Sequence, residues 1–267
     1  MDETAETPGA GRASASLFDL TGKTALVTGS GQGLGLAVAT GLANAGARVI
    51  LNGRSEARLG VAAQGLRDNG ATVDIAAFDV TDATAVAAAV AAIEADGTAI
   101  DILVNNAGIQ RRHALEDFPH DAWRDIMATN VDSVFYVSQA VARHMIKRGR
   151  GKIINIASVQ SELARPTIAP YTASKGAVKN LTKGMCADWA RHGLQVNAIG
   201  PGYFATPLNQ ALVDDPEFDA WLKKRTPAGR WGRVEDLHGI AVFLASAASD
   251  FINGQTLYVD GGLLSVI

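Results

Sequence analysis

A short apolar run, Thr24-Ala25-Leu26-Val27, passes directly into Thr28-Gly29-Ser30-Gly31-Gln32-Gly33-Leu34-Gly35 and then into a stretch with helical spacing. A buried strand that turns on glycines into a helix leaves few folds open. Glycines permit the tight turn, and the helix start offers unpaired N–H groups and the positive end of its dipole, so a pyrophosphate can be approached closely there. Such a loop gains meaning only from its place between a strand and a helix at the head of a repeated βα series. That series follows. Runs rich in β-branched residues at 24–27, 48–52, 73–78, 102–105, 152–156, 195–199 and 256–259 read as strands. Longer stretches at 34–45, 57–69, 83–95, 131–148 and 171–192 read as helices between them. The expected fold is α/β, a single-domain doubly wound parallel sheet of Rossmann type with seven strands and helices on both faces.

At 267 residues, 48% of them apolar, the chain can bury one large core. No repeat or Pro-rich linker divides it. Residues 17–267 are expected to form one dinucleotide-binding and catalytic domain, and residues 1–16, small and polar with acid where a signal peptide carries base, a disordered tail. The segment 206–230 breaks the βα rhythm with Pro207, Pro216, Pro227, Phe218 and Trp221. It reads either as a mobile flap over a site or as a peripheral helical hairpin packed on a neighbouring subunit. A net charge of −3 without basic clusters argues against nucleic acid as a partner. No run approaches the roughly 18 apolar residues of a membrane span. The lone Cys186 has no partner for a disulfide and no surrounding cluster for a metal, which makes the cytoplasm the expected compartment.

Chemistry enters with Tyr171-Thr172-Ala173-Ser174-Lys175. Residues four apart share one helical face, so hydroxyl and ammonium point the same way. A tyrosine with an ordinary pKa of about 10 is a poor acid–base catalyst at neutral pH, and a nearby ammonium favours its phenolate. The pair is common on helix surfaces. Its context is Ser158, which follows the strand at 152–156 and therefore emerges at a strand end, where open α/β sheets place their ligands.

Five motifs occur in order: Thr28-Gly29 with Gly33 and Gly35, Asn105-Asn106-Ala107-Gly108, Asn130, the group Ser158, Tyr171 and Lys175, and Pro201-Gly202 followed by Thr206. In this order they resemble the short-chain dehydrogenase/reductase family, along almost the whole chain after residue 17. The resemblance implies hydride transfer between a nicotinamide cofactor and a carbonyl or alcohol. It implies cofactor contacts from Gly29, Gln32, Gly33, Leu34 and Gly35, from Asp79 and Val80 at the adenine, and from Asn106, Ala107 and Gly108. Tyr171, Lys175, Pro201, Gly202 and Thr206 are implied at the nicotinamide end. In the implied mechanism Ser158 holds the carbonyl oxygen and Tyr171 gives up or takes the proton. Lys175 lowers the tyrosine pKa and binds the nicotinamide ribose, and Asn130 positions a water that resupplies the proton. Cofactor choice is read after the second strand, where a carboxylate marks NAD. Here Asn52-Gly53-Arg54 offers no acid and one guanidinium for a 2′-phosphate, which favours NADP. NAD stays open, because Gln32 stands where NADP-preferring relatives often carry a second base.

Arg111 and Arg112, just beyond the Asn106-Ala107-Gly108 loop, suit a small carboxylate. With Ser158, Gln160, Ser161, Glu162 and Tyr171 they resemble a polyol-acid branch of the same family, which implies a sugar-acid substrate. Other carbonyl substrates, a 2-keto-3-deoxy sugar acid or a 3-oxoacyl thioester, are the alternatives. A non-catalytic nucleotide-sensing scaffold is a third, disfavoured by the presence of both Tyr171 and Lys175. His113, His144 and His192 are assigned to loop packing or helix ends rather than catalysis. Family membership would also imply a homotetramer, built through the two long helices and the apolar chain end at 261–267.

Overall fold

The computed structural model of the chain describes residues 14–267. Among these, strands β1 (Thr24–Val27), β2 (Arg48–Gly53), β3 (Val73–Ala77), β4 (Ile102–Asn105), β5 (Gly151–Ile156), β6 (Leu194–Pro201) and β7 (Thr256–Val259) make one sheet. Its order is β3-β2-β1-β4-β5-β6-β7, with every neighbouring pair parallel. The chain winds outward in one direction from β1 to β3 and in the other from β4 to β7. The crevice opens where that direction reverses, above the carboxyl ends of β1 and β4.

The helices are α1 (Gly33–Asn44), α2 (Glu56–Arg67), α3 (Ala83–Ala95), α4 (His120–Met127), α5 (Ser133–Arg148), α6 (Ala169–Trp189), α7 (Gln210–Val213), α8 (Pro216–Arg225) and α9 (His238–Ala245). Side chains on successive strand residues point to opposite faces, so each strand feeds two cores. Ala25 and Val27 join Val38 and Leu42 of α1, Leu59 of α2 and Leu244 of α9. Leu26, between them, joins Val86 of α3, Val141 of α5 and Val178 of α6 on the other face. Each fully buried side chain of this kind contributes about 1.5–3 kcal/mol relative to exposure. Helix starts are fixed locally: Ser55 accepts the N–H of Arg58 at 3.3 Å, and Asp82 accepts those of Thr84 and Ala85 at 2.9 and 3.0 Å.

Two helices escaped the sequence reading. In α4 only Ile126 is buried, so the apolar stripe is too thin to read. The α9 sequence, HGIAVFLA, is a short apolar run that period alone cannot separate from a strand. The helix expected from 131 begins at Ser133, after a π-helical turn over Ala128–Asp132. The expected tail lies outside the described residues up to residue 13, and its last three residues open a 3-10 turn, Ser14–Leu17. That turn leads into Phe18, whose ring lies 6.4 Å from that of Phe243 on α9. Among the described residues, no helix is long and apolar enough to cross a membrane.

Candidate active site

The carboxyl ends of β1, β2, β4, β5 and β6 open into one cleft of about 980 Å³. At its first end the β1–α1 turn shapes a cradle. Gly29 has φ +62, and a Cβ there would stand 2.8 Å from the Ala107 Cα; a Cβ on Gly35 would stand 2.4 Å from Asn106 Nδ2. These glycines let two backbone loops touch. Asn106 closes the contact by donating from Nδ2 to the carbonyls of Thr28 and Gly29 at 2.9 and 3.0 Å. Gly33, φ +61, has open space where its Cβ would be. Gln32 precedes α1 without a side-chain cap, and Gly33, Leu34 and Gly35 of the first turn line the cleft. A cradle without side chains, at an uncapped helix start, fits a pyrophosphate.

Toward β2 the cleft wall carries Arg54 and also Arg58, which the sequence reading missed. A Cβ on Gly31 would touch the Arg58 side chain at 3.4 Å, so α2 brings a second guanidinium beside the glycine loop, where Gln32 offered none. Asn52 is fully buried and spends its amide on the carbonyls of Ala76 and Phe78 at 3.0 and 3.1 Å. The end of β2 therefore presents no carboxylate. Asp79 and Val80 line the cleft next to Arg54. Burial alone would raise the Asp79 carboxyl, but the N–H and hydroxyl of Thr81, both on Oδ1, and Arg54 at 3.9 Å outweigh it and hold the group below its ordinary value. These residues fit an NADP adenosine end.

At the centre, α6 delivers Tyr171 and Lys175 one turn apart, and Ser158 stands two residues beyond the end of β5. Tyr171 lines the cleft beside Ser158, whose hydroxyl is near enough to act on that of the tyrosine. Lys175 is 5% exposed, donates from Nζ to the Ile156 carbonyl at 2.6 Å, and sits 5.7 Å from the centre of the tyrosine ring. Burial pushes the Tyr171 hydroxyl up to about 12, against the influence of Ser158, which lowers it. Burial likewise brings Lys175 down to about 8. Desolvation of the phenolate outweighs the influence of Ser158, and Lys175 is itself desolvated and engaged with the Ile156 carbonyl. What the protein holds is a neutral phenol, which suits a proton donor.

Asn130 is 1% exposed on the π-helical turn, behind the loop at Gly108 and Ile109. Its Nδ2 donates to the Ile109 carbonyl at 2.9 Å and to Ser174 Oγ at 3.0 Å, while Oδ1 accepts the Ile109 N–H at 2.8 Å. Both side-chain donors are spent on tying the β4 loop to α6.

The far end of the cleft is bordered by Arg111, Arg112, Gln160, Arg165 and Tyr203. Pro201, Gly202 and Thr206 continue the wall, and Leu212 of α7 closes over it. Helix α7 thus stands at the cleft mouth, as a flap would, and Phe218 of α8 backs Tyr203 and Arg165 of the wall. Two residues grouped with the substrate side leave it. Ser161 turns back to donate to the Lys175 carbonyl at 2.9 Å, and Glu162 faces outward to Lys179 and to the Tyr258 hydroxyl. His113 packs edge-on against Phe118 at 5.2 Å. Arg165, Tyr203 and Asp125 line the cleft without having been singled out in sequence. Nothing in their local pattern marks them, because the folding of separate loops brings them here.

Residues 29–264 match the family model described as enoyl-(acyl carrier protein) reductase. Gluconate 5-dehydrogenase of Gluconobacter oxydans is 64% identical over 247 residues, covering 92% of this chain and 96% of that protein. The 5-keto-D-gluconate 5-reductase of Escherichia coli K12 is 55% identical, covering 94% and 99%. Among solved structures, a gluconate 5-dehydrogenase from Burkholderia cenocepacia in complex with NADP and tartrate superposes with a TM-score of 0.93 at 62% identity, covering 96% of this chain and 100% of that one.

Proposed function

This chain belongs to the short-chain dehydrogenase/reductase family of oxidoreductases, and from that premise we propose that it interconverts D-gluconate and 5-keto-D-gluconate with NADP as cofactor. The observation that carries the reading is the junction of two features in one cleft. A neutral, half-buried Tyr171 hydroxyl beside Ser158 adjoins a far end lined by arginines. The names of the relatives, gluconate 5-dehydrogenase and 5-keto-D-gluconate 5-reductase, support the substrate. The bound cofactor of the Burkholderia structure, the two arginines near the adenosine end and the uncharged end of β2 support NADP over NAD.

The nicotinamide, when bound, supplies the hydride in reduction and accepts it in oxidation. Ser158 and Tyr171 hold the substrate oxygen with two hydroxyl donors, aimed at the atom on which negative charge develops. In reduction Tyr171 transfers its proton to that oxygen as hydride reaches the carbon, and the products are the alcohol and a phenolate. The phenolate regains a proton through the Lys175 side of the cleft. In oxidation the same phenolate takes the alcohol proton. Lys175 carries charge at neutral pH beside the hydroxyl and is placed to meet the cofactor ribose. Asn130 acts as a positioning residue that fixes α6 against the loop at Ile109.

Purified protein should oxidise NADPH rapidly with 5-keto-D-gluconate and slowly with a 2-keto-3-deoxy sugar acid, with a short 3-oxoacyl thioester, or with NADH in place of NADPH. Tyr171→Phe should lower kcat by about 10²- to 10⁴-fold while cofactor binding, followed by NADPH fluorescence, stays near that of wild type. A Phe variant with near-normal turnover removes the acid role, and turnover confined to the thioester removes the sugar-acid substrate. We also read the protein as a cytoplasmic homotetramer. Support for the assembly comes from the family and from exposed apolar side chains at Phe251, Val266 and Ile267. Support for the compartment comes from the NADP reading and a free thiol, Cys186.

A further inference from the structure

Three arginines stand at the far end of the cleft, and they are not equivalent. Arg111 is exposed and turns its guanidinium to the carbonyl of its own neighbour Gln110, at 3.1 Å. Arg112 and Arg165 border the cleft, and neither has an ion-pair partner among the described residues. They are close enough to feel each other: the Arg112 guanidinium is held below its ordinary value, first by burial and then by the positive charge of Arg165. Two like charges drawn together at a cleft wall, with no carboxylate in an ion pair with either, are an unfavourable arrangement, and an anion between them relieves it.

The arrangement is built. The loops that carry the two arginines are stitched by the His113 N–H, which donates to the Thr167 carbonyl at 3.2 Å. Thr167 adopts φ +73, the one positive φ outside glycine among the described residues, and such strain persists only where the surroundings enforce it. The guanidinium of Arg165 lies 5.1 Å from the centre of the Phe218 ring, on α8. Phe218 is itself fixed by Tyr203, Trp221 and Trp231, with ring centres 5.5, 5.1 and 6.1 Å away. Between this cation pair and Ser158 stands Gln160, 7% exposed, whose Oε1 is buried with no donor among the described residues.

We propose that Arg165 is a specificity-determining residue that, with Arg112, holds the carboxylate of the sugar acid, while Gln160 Oε1 accepts a hydrogen bond from one of its hydroxyls. The proposal rests on the sugar-acid reading above. It has a mechanical consequence. Because Phe218 belongs to the flap, a carboxylate on Arg165 links flap to core, and a substrate lacking that charge loses both the ion pair and the link.

Steady-state kinetics of the whole protein with NADPH test this. 5-Keto-D-gluconate is compared with L-sorbose, an uncharged polyhydroxy ketone. Arg165→Ala should raise KM for 5-keto-D-gluconate roughly 10- to 100-fold, with kcat within about threefold. The effect on kcat/KM for the neutral ketone should be smaller by at least tenfold. Arg165→Lys should recover only part, since an ammonium cannot fork onto a carboxylate. Phe218→Ala should move KM in the same direction by less, and Arg111→Ala should also cost less than Arg165→Ala. Equal losses on charged and neutral substrates, or a larger loss from Arg111→Ala, overturn the clamp. Binding of D-gluconate, followed by the fluorescence of Trp221 and Trp231, separates this proposal from the reading beneath it. A wild type that binds D-gluconate without turnover loses the functional reading and keeps the clamp. An Arg165→Ala variant that binds it as tightly as wild type loses the clamp, whatever the turnover.

Discussion

Lys175 carries the clearest conflict between stability and function at the scale of single residues. It is buried, its ammonium donates to the Ile156 carbonyl at 2.6 Å, and burial lowers its pKa to about 8. A group whose folded pKa is depressed adds stability above its unfolded value and loses that stability as pH falls through the folded value. The window here runs from about 10.5 down to about 8, so at pH 7 the folded protein carries the full penalty of a buried ammonium. Lys175→Met removes that penalty, on the order of 3 kcal/mol by the size of the shift. It forfeits about 1 kcal/mol of hydrogen bonding. The expected outcome is an inactive variant whose Tm at pH 7 is higher by roughly 4–8 °C, a gain that shrinks as pH rises past 8 toward 10.5. Equal Tm differences at pH 7 and pH 10 would show that the ammonium is not desolvated. Tyr171 has the opposite sign. Its raised value of about 12 favours the folded state below pH 10, and that contribution disappears as pH rises to 12.

Single elements are placed by contacts that tolerate almost no change in volume. The β1–α1 turn meets the loop after β4 so closely that a Cβ on Gly35 would fall 2.4 Å from Asn106 Nδ2 and 2.6 Å from the Gly29 carbonyl oxygen. One of those neighbours is backbone and cannot swing aside. Gly35→Ala should therefore destabilise the protein by about 1–3 kcal/mol and weaken NADPH binding by a similar factor. Chemical denaturation and fluorescence titration read the two effects, and a variant with wild-type values in both would show that the turn relaxes freely. Behind the site a chain of buried side chains aligns the catalytic elements. Asn105 donates to Ser138 Oγ and Asn155 Oδ1, both at 2.8 Å, and Asn155 donates to Thr182 Oγ1 at 2.9 Å. These bonds run from α5 through β4 and β5 to α6, the helix that bears Tyr171 and Lys175. Their satisfaction in a dry interior favours one relative placement of the four elements over sliding alternatives.

For the whole molecule, the flap and the chain end behave as one unit. Arg225, the last residue of α8, donates to the carbonyls of Leu263 and Val266 at 2.9 Å each. That tie fixes the exposed Val266 and Ile267 at the surface beside the flap. Light scattering at micromolar concentration should return the mass of four chains, and removal of residues 263–267 should shift it toward smaller species and raise KM through the loosened flap. A monomer with full activity overturns the assembly. The sequence by itself determined the sheet, because continuous apolar runs on short strands, with helical stretches between them, admit one kind of layered packing. It also determined the glycine cradle and the Tyr171, Lys175 and Ser158 group, because helical spacing and a strand end place those residues through local geometry alone. Tertiary structure decided the rest. The protonation of Tyr171 depends on how completely neighbouring elements exclude water. The inward turn of Ser161, the outward turn of Glu162 and the spent amide of Asn130 depend on partners from distant segments. Arg58 and Arg165 join the cleft only because α2 and the loop before α6 fold across it, and no period within a single segment encodes which remote charges will meet.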